Sequence, residues 1–504
     1  MFSAPCPSCG ATVSLRASQS TTAVCGFCRS TLARRADALE RIGVQGELLE
    51  DHARVQLGTG GRFDGRGFTA IGRIQLRYDD GGWNEWYLLF DDGSTGWLSE
   101  ASGQYAVTFE RGTVTGAPSF EALRPGMTAG LRGQRYVATD RRSARCTAAE
   151  GELPFPADSR WEAKVVDLRD GDALATLDWS NGEPPVLYAG RAVALESLQP
   201  TLLRGLAQTA EAAGALGAVL QSLACPSCGA PVRFVSQLAT QVTCRQCKSE
   251  LSGRDADLVT EVRRADASER RTALALGDTG RFDDETYTVI GVLARRAEGD
   301  DAEWFEYLLW SPKAGFRWLV EVAGAWQWVE VLNALPEEEG GGARLGDERF
   351  LRLERYDTVT TWVAGSFNWR PRVGDRAEVT EFERRAGGVR TVLSRERTDD
   401  EVTWSRATEL PAARLAEAFG RPVGASAAAA QPASGGRAGA TDVLPEFRQR
   451  SVRDLAWLFS ILLALAALPA VFMADFDDLI APLLIAYLAL WLPLRMLGDG
   501  DRGG

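Results

Sequence analysis

Eight of the nine cysteines in this chain fall into two quartets of identical spacing. The first is Cys6-Pro7-Ser8-Cys9, succeeded after fifteen residues by Cys25-Gly26-Phe27-Cys28. The second is Cys225-Pro226-Ser227-Cys228, succeeded after fifteen residues by Cys244-Arg245-Gln246-Cys247. Four thiolates in two close pairs suit one tetrahedral Zn²⁺, so the chain is expected to hold two structural zinc sites. Disulfides are the alternative use of eight cysteines. CxxC pairs repeated at one spacing, behind an N-terminus without a secretory signal pattern, argue for zinc in a reducing compartment. All four positions of each quartet are cysteine, which leaves no open coordination position for a substrate.

The quartets begin 219 residues apart, and the segments C-terminal to them also repeat. Thr59-Gly60-Gly61-Arg62-Phe63-Asp64 returns as Thr279-Gly280-Arg281-Phe282-Asp283. Phe68-Thr69-Ala70-Ile71-Gly72 returns as Tyr287-Thr288-Val289-Ile290-Gly291. Glu85-Trp86-Tyr87-Leu88-Leu89-Phe90 aligns with Phe305-Glu306-Tyr307-Leu308-Leu309-Trp310, and Gly96-Trp97-Leu98-Ser99-Glu100 with Arg317-Trp318-Leu319-Val320-Glu321. Each half is thus a ribbon and a domain of roughly 150 residues, an ordinary domain size.

Short runs rich in Val, Ile, Tyr, Trp and Phe alternate with Gly, Asp and Asn turns, which predicts strands and a small barrel or sandwich in each half. The class is mainly β, with ribbons at 1–36 and 224–255 and β-rich domains at 53–200 and 272–420. The stretch 33–52 has partly helical spacing that places Leu39, Ile42 and Leu49 on one face. The Ala- and Leu-rich stretch 201–223 reads as a connecting helix. Glu337-Glu338-Glu339-Gly340-Gly341-Gly342 reads as a loop. From 421 to 446 the chain turns rich in Ala, Gly, Ser and Pro, the composition of a disordered linker.

Residues 455–474 form a run of twenty without a charge, enough to cross a bilayer core of about 30 Å. A second apolar run, 479–494, comes after Asp475-Phe476-Asp477-Asp478. Together they predict a two-helix membrane hairpin over 452–497. Arg448, Arg450, Arg453, Arg495 and Arg502 flank the pair, while the connection is acidic. The positive-inside rule then puts both termini and the soluble domains on the cytoplasmic side of a bacterial inner membrane.

The formal net charge of −12 argues against a protein that coats nucleic acid, because phosphate neutralisation needs positive surface. The ribbons are locally basic all the same, with Arg16, Arg29, Arg34 and Arg35 in the first and Arg233, Arg245, Lys248 and Arg254 in the second. The chain has one histidine, His52, and no GxSxG or GK[ST] signature, so an enzyme is not expected. Glu85/Glu306 and Glu100/Glu321 recur in both halves; carboxylates there could bind a cationic ligand, but solvent-facing or turn-capping roles are expected for them. Cys146 and Glu152 lack a counterpart in the second half.

The Gly-Arg-Phe, Ile-Gly, Glu-(Trp)-Tyr-Leu-Leu and Trp-Leu-x-Glu series resembles a bacterial β-rich domain of unknown function that follows a CPxCG-type zinc ribbon and is duplicated as here. That resemblance implies a membrane-associated accessory role, because such domains are encoded beside membrane-stress, ion-channel and polyamine-synthesis genes. It supplies no catalytic residues. The expected function is that of a membrane-tethered scaffold or adaptor that binds a protein partner through its duplicated units, with a part in membrane stress. Two alternatives stay open: a sensor of a cationic small molecule such as a polyamine, drawn by the acidic domains, and a nucleic-acid-binding ribbon protein.

Overall fold

The computed structural model describes residues 2–35, 38–44, 53–157, 161–206, 221–224, 231–234, 242–243, 250–252, 259–261 and 270–426. The second cysteine quartet, His52, most of the expected connecting helix, nearly all of the expected linker and the whole expected membrane hairpin lie outside the described residues.

The first ribbon is built from a hairpin, β1 (Phe2–Pro5) with β2 (Thr12–Leu15), and a three-stranded unit of β3 (Thr22–Val24), β4 (Ser30–Arg35) and β5 (Ala38–Val44). The helix expected over 33–52 is not formed where the chain is described: Ala38–Val44 pairs antiparallel with β4. On a strand, residues three apart point to opposite faces. Leu39 accordingly enters the ribbon core with Leu15 and Leu32, while Ile42 is exposed. Pairing with β4 satisfies the backbone of this segment and overrides a weak helical spacing.

The first β-rich domain contributes β6 (Gly60–Phe63), β7 (Arg66–Tyr78), β8 (Gly81–Phe90), β9 (Thr95–Ala101), β10 (Gln104–Thr113), β11 (Thr128–Leu131), β12 (Gln134–Leu153), β13 (Glu162–Asp170), β14 (Ala173–Asp178) and β15 (Val186–Val193). Its strands pair in the order β12-β13-β14-β15-β10-β9-β8-β7, and β7 pairs back to β12, so eight antiparallel strands close into a barrel. Closure removes the sheet edges that an open sandwich would expose.

The second half repeats the plan. Strands β16 (Gln221–Ala224), β17 (Pro231–Phe234), β18 (Val242–Thr243), β19 (Glu250–Ser252) and β20 (Val259–Glu261) stand where β1–β5 stand in the first ribbon. Gln221–Ala224 is a strand, so the C-terminal end of the expected 201–223 helix is extended chain. The second barrel comprises β21 (Thr279–Phe282), β22 (Glu285–Ala297), β23 (Glu303–Ser311), β24 (Gly315–Val322), β25 (Ala325–Val331), β26 (Glu337–Glu339), β27 (Gly342–Leu345), β28 (Glu348–Ser366), β29 (Arg376–Ala386), β30 (Val389–Arg397) and β31 (Val402–Leu410). Its ring runs β28-β29-β30-β31-β25-β24-β23-β22 and closes by β22 on β28. The expected Glu-Gly loop is the β26–β27 hairpin, turned at Gly340 and Gly341, both with positive φ. A short helix, α1 (Ala412–Phe419), buries Leu415 against the barrel. The chain continues to Ser426, which is buried, so the ordered domain runs past the expected linker boundary at 421.

The strand register corrects the sequence alignment of the halves by one residue. Gly72 pairs with Tyr87, but Gly291 pairs with Leu308. Trp86 is therefore equivalent to Tyr307, and Glu85 to Glu306. The hydrogen bonds agree: Trp86 Nε1 donates to Glu100 at 2.9 Å and Tyr307 Oη donates to Glu321 at 2.9 Å.

Alternation along β8 sorts its side chains onto two faces. Trp86, Leu88 and Phe90 pack outward with Phe68, Val107 and Leu198. Trp83, Glu85, Tyr87 and Leu89 take the other face and turn into the ring. The two barrels meet through polar contacts. Asn333 Nδ2 donates to the carbonyls of Tyr105 (3.2 Å) and Val193 (3.0 Å), and Arg142 donates to Glu401 at 2.5 Å.

Candidate functional site

The first quartet comes together as its spacing requires. The four Sγ atoms of Cys6, Cys9, Cys25 and Cys28 lie within 4.8 Å of one another. Cys6 and Cys28 are 3.7 Å apart, Cys9 and Cys25 3.6 Å. A tetrahedral metal with bonds of about 2.3 Å to sulfur needs S···S separations of about 3.8 Å, so these residues fit a four-thiolate metal site. Each CxxC pair sits on a tight turn: Gly10 N–H donates to Cys6 O at 2.8 Å, and Arg29 N–H to Cys25 O at 2.9 Å. Gly10 and Arg29 both carry positive φ, at 76° and 58°. Glycine meets that requirement without strain in the first turn; in the second an arginine adopts it.

The thiols do not share one acidity. The Ser30 hydroxyl and N–H beside Cys28 hold its thiol down to about 6. The Ala11 N–H acts to lower Cys9, yet burial and the surrounding thiols carry it up to about 12. Four sulfurs this close resist becoming four thiolates until a divalent cation offsets the repulsion.

Glu152 fixes the ribbon to the barrel. Its buried carboxylate accepts from the N–H groups of Arg16 (2.7 Å) and Ala17 (3.1 Å) and the Ser20 hydroxyl (3.0 Å), and pairs with the Arg16 guanidinium at 3.2 Å. Beside it, β3 pairs with the end of β12. In the second half β18 pairs with the end of β28 in the same way. Glu152 thus serves the joint of the first half, and Ser366 stands at its register position in the second. Cys146 is a core residue, with Sγ donating to the Ala148 carbonyl at 3.5 Å.

Phe27 stands in the second turn, 88% exposed between Cys25 and Cys28. Its counterpart in the other quartet is Gln246.

The recurring glutamates are neither solvent-facing nor turn-capping. Glu100 and Glu321 are buried in the outward cores, where Tyr105 Oη donates to Glu100 at 2.9 Å and the Ser426 N–H donates to Glu321 at 2.7 Å. Glu85 and Glu306 face the lumens. Trp83 Nε1 and Ser99 Oγ donate to Glu85 at 2.9 and 2.7 Å; Trp304 Nε1 donates to Glu306 at 2.7 Å. Burial carries Glu85 up to about 7, and Asp167 and Asp178 push in the same direction. Those aspartates lie on β13 and β14, on the opposite side of the ring from β8, so they meet Glu85 across the lumen. Sequence reasoning missed them. Their signal was an alternating Val165, Asp167, Arg169, a pattern shared by any strand with one solvated face.

Comparison with protein families matches the domain of unknown function DUF4178 at residues 56–195 and again at 275–412, together more than half of the chain. The chain belongs to this family, and each match covers one barrel. No curated protein and no solved structure matches. Among the described residues, no helix is long and apolar enough to cross a membrane.

Proposed function

We propose that this protein is a membrane-tethered adaptor that presents two ribbon-plus-barrel units to a protein partner on the cytoplasmic face of a bacterial inner membrane, with a structural zinc in each ribbon. The observation that carries it is Phe27. A large aromatic held in solvent by a four-thiol turn is a pre-ordered binding anchor, since the fold and not the partner meets the ordering cost. The all-cysteine donor sets at Cys6, Cys9, Cys25, Cys28 and at Cys225, Cys228, Cys244, Cys247 support zinc in a structural and not a catalytic role. The apolar runs at 455–474 and 479–494 support the tether, and the membrane-associated role that the sequence resemblance implies supports the setting.

Purification of the full-length chain in detergent after mild crosslinking tests this. A defined protein recovered in stoichiometric amount, and lost with Phe27→Ser while the variant stays folded, is expected. Recovery of nucleic acid alone, or of no partner, contradicts the adaptor reading.

A further inference from the structure

The duplication provides an internal comparison of the two lumens. Strand register makes Glu85 equivalent to Glu306, Asp167 to Glu381, Asp178 to Glu396 and Thr176 to Ser394. The same carboxylates line both barrels. In the second, a cation from the chain itself bridges them. Arg295, 8% exposed, donates through Nη1 and Nη2 to Glu396 at 2.8 and 2.9 Å and to the Thr358 hydroxyl at 2.5 Å, and its Nη1 lies 3.6 Å from Glu306. The first barrel has Leu76 at that register position, opposite Trp83 as Arg295 is opposite Trp304. Asp167 is served by Arg169 and Arg142. Asp178 accepts from Ser180, and Glu85 from Trp83 and Ser99; among the described residues neither has a cationic partner.

We propose that the lumen of the first barrel binds a guanidinium-bearing cation between Glu85 and Asp178, the place that Arg295 fills in the second barrel.

Two further features fit. The Tyr87 hydroxyl, on a residue 2% exposed and on the same face of β8 as Glu85, makes no well-formed hydrogen bond, although the Thr95 side chain lies near it. The Tyr87 and Trp97 rings, 4.9 Å apart, supply aromatic wall against which a planar cation stacks. Glu85, Asp178 and Tyr188 are all half-buried, so the lumen communicates with solvent. The leucine at 76 stops short of the space that a guanidinium reaches from the same strand. Planar N–H donors matched to two carboxylates give the recognition, which a quaternary ammonium of the same charge lacks.

The cation has two sources, a free small molecule or an arginine side chain of a peptide. Calorimetric titration of the full-length chain in detergent, above neutral pH, separates them with ethylguanidinium and with a short peptide carrying one internal arginine; tetramethylammonium is the control. Saturable binding of at least one of the two probes, one per chain, is expected. Glu85→Gln and Asp178→Asn weaken it at least roughly tenfold, and Leu76→Arg abolishes it by filling the site. Arg295→Leu adds a second equivalent. Ethylguanidinium binding points to a free molecule, and binding of the peptide alone to a protein side chain. Three results each overturn the proposal: no saturable binding of either probe up to about 10 mM, equal binding of tetramethylammonium, or wild-type affinity in folded Glu85→Gln and Asp178→Asn.

Discussion

Single residues show where chemistry was legible and where it was not. The cysteines declared themselves because a tetrahedral thiolate site demands fixed spacing, and Cys6, Cys9, Cys25 and Cys28 converge as that spacing requires. Glu85 did not, because alternation along a strand tells which face a side chain takes but not whether that face meets water or a lumen. The consequence is a dependence on pH. Burial raises Glu85 from 4.5 to about 7, so the folded chain keeps a proton that the unfolded chain has released. Its contribution to stability therefore falls as pH rises from about 4.5 to about 7, with the loss complete above that. Glu85→Gln is expected to lose its pH-dependent share and to gain stability relative to wild type across this window. Urea midpoints of both chains at several pH values check this; parallel pH profiles would refute it.

At the scale of elements, the sequence conveyed strands better than their partners. Runs such as Trp86-Tyr87-Leu88-Leu89-Phe90 are unmistakably β, yet alignment on Tyr-Leu-Leu slips one residue against the true register, which is set by how Gly72 and Gly291 pair. Where the segment expected to be helical at 33–52 is described, Ala38–Val44 is a strand, for the reason that weak helical spacing commonly yields: β4 offered its backbone a ladder. The glycines at the β7–β12 crossing are the most demanding local requirement. A Cβ on Gly72 would sit 1.8 Å from the Glu152 carbonyl oxygen, and one on Gly151 2.2 Å from that of Ile71. Gly291 and Gly365 repeat the arrangement, with distances of 2.7 and 2.5 Å to the carbonyls of Ser366 and Ile290. Neither strand yields without opening the ring, so Gly72→Ala is expected to cost about 3 kcal/mol in urea unfolding. A loss below about 0.5 kcal/mol would show that the crossing is loosely packed.

For the whole molecule, duplication and β class were plain from the sequence, whereas closure was not. A barrel and a sandwich share strand lengths and alternation, and differ in one pairing, β7 on β12 or β22 on β28, between strands far apart in sequence. That pairing creates the lumen, and each ribbon is bound to its barrel at the end of the same long strand, β12 or β28. Ribbon and barrel thus form one mechanical series, and on the proposed reading a zinc ion at the four-cysteine cluster, worth on the order of 10 kcal/mol to so small a module, would organise its first member. Elemental analysis of the full-length protein, purified under reducing conditions without added metal, tests this most directly. Two equivalents of zinc per chain are expected, one for each quartet, falling to one in Cys6→Ser. A chain that binds no metal, or a Cys6→Ser variant that keeps the wild-type zinc content, would contradict it.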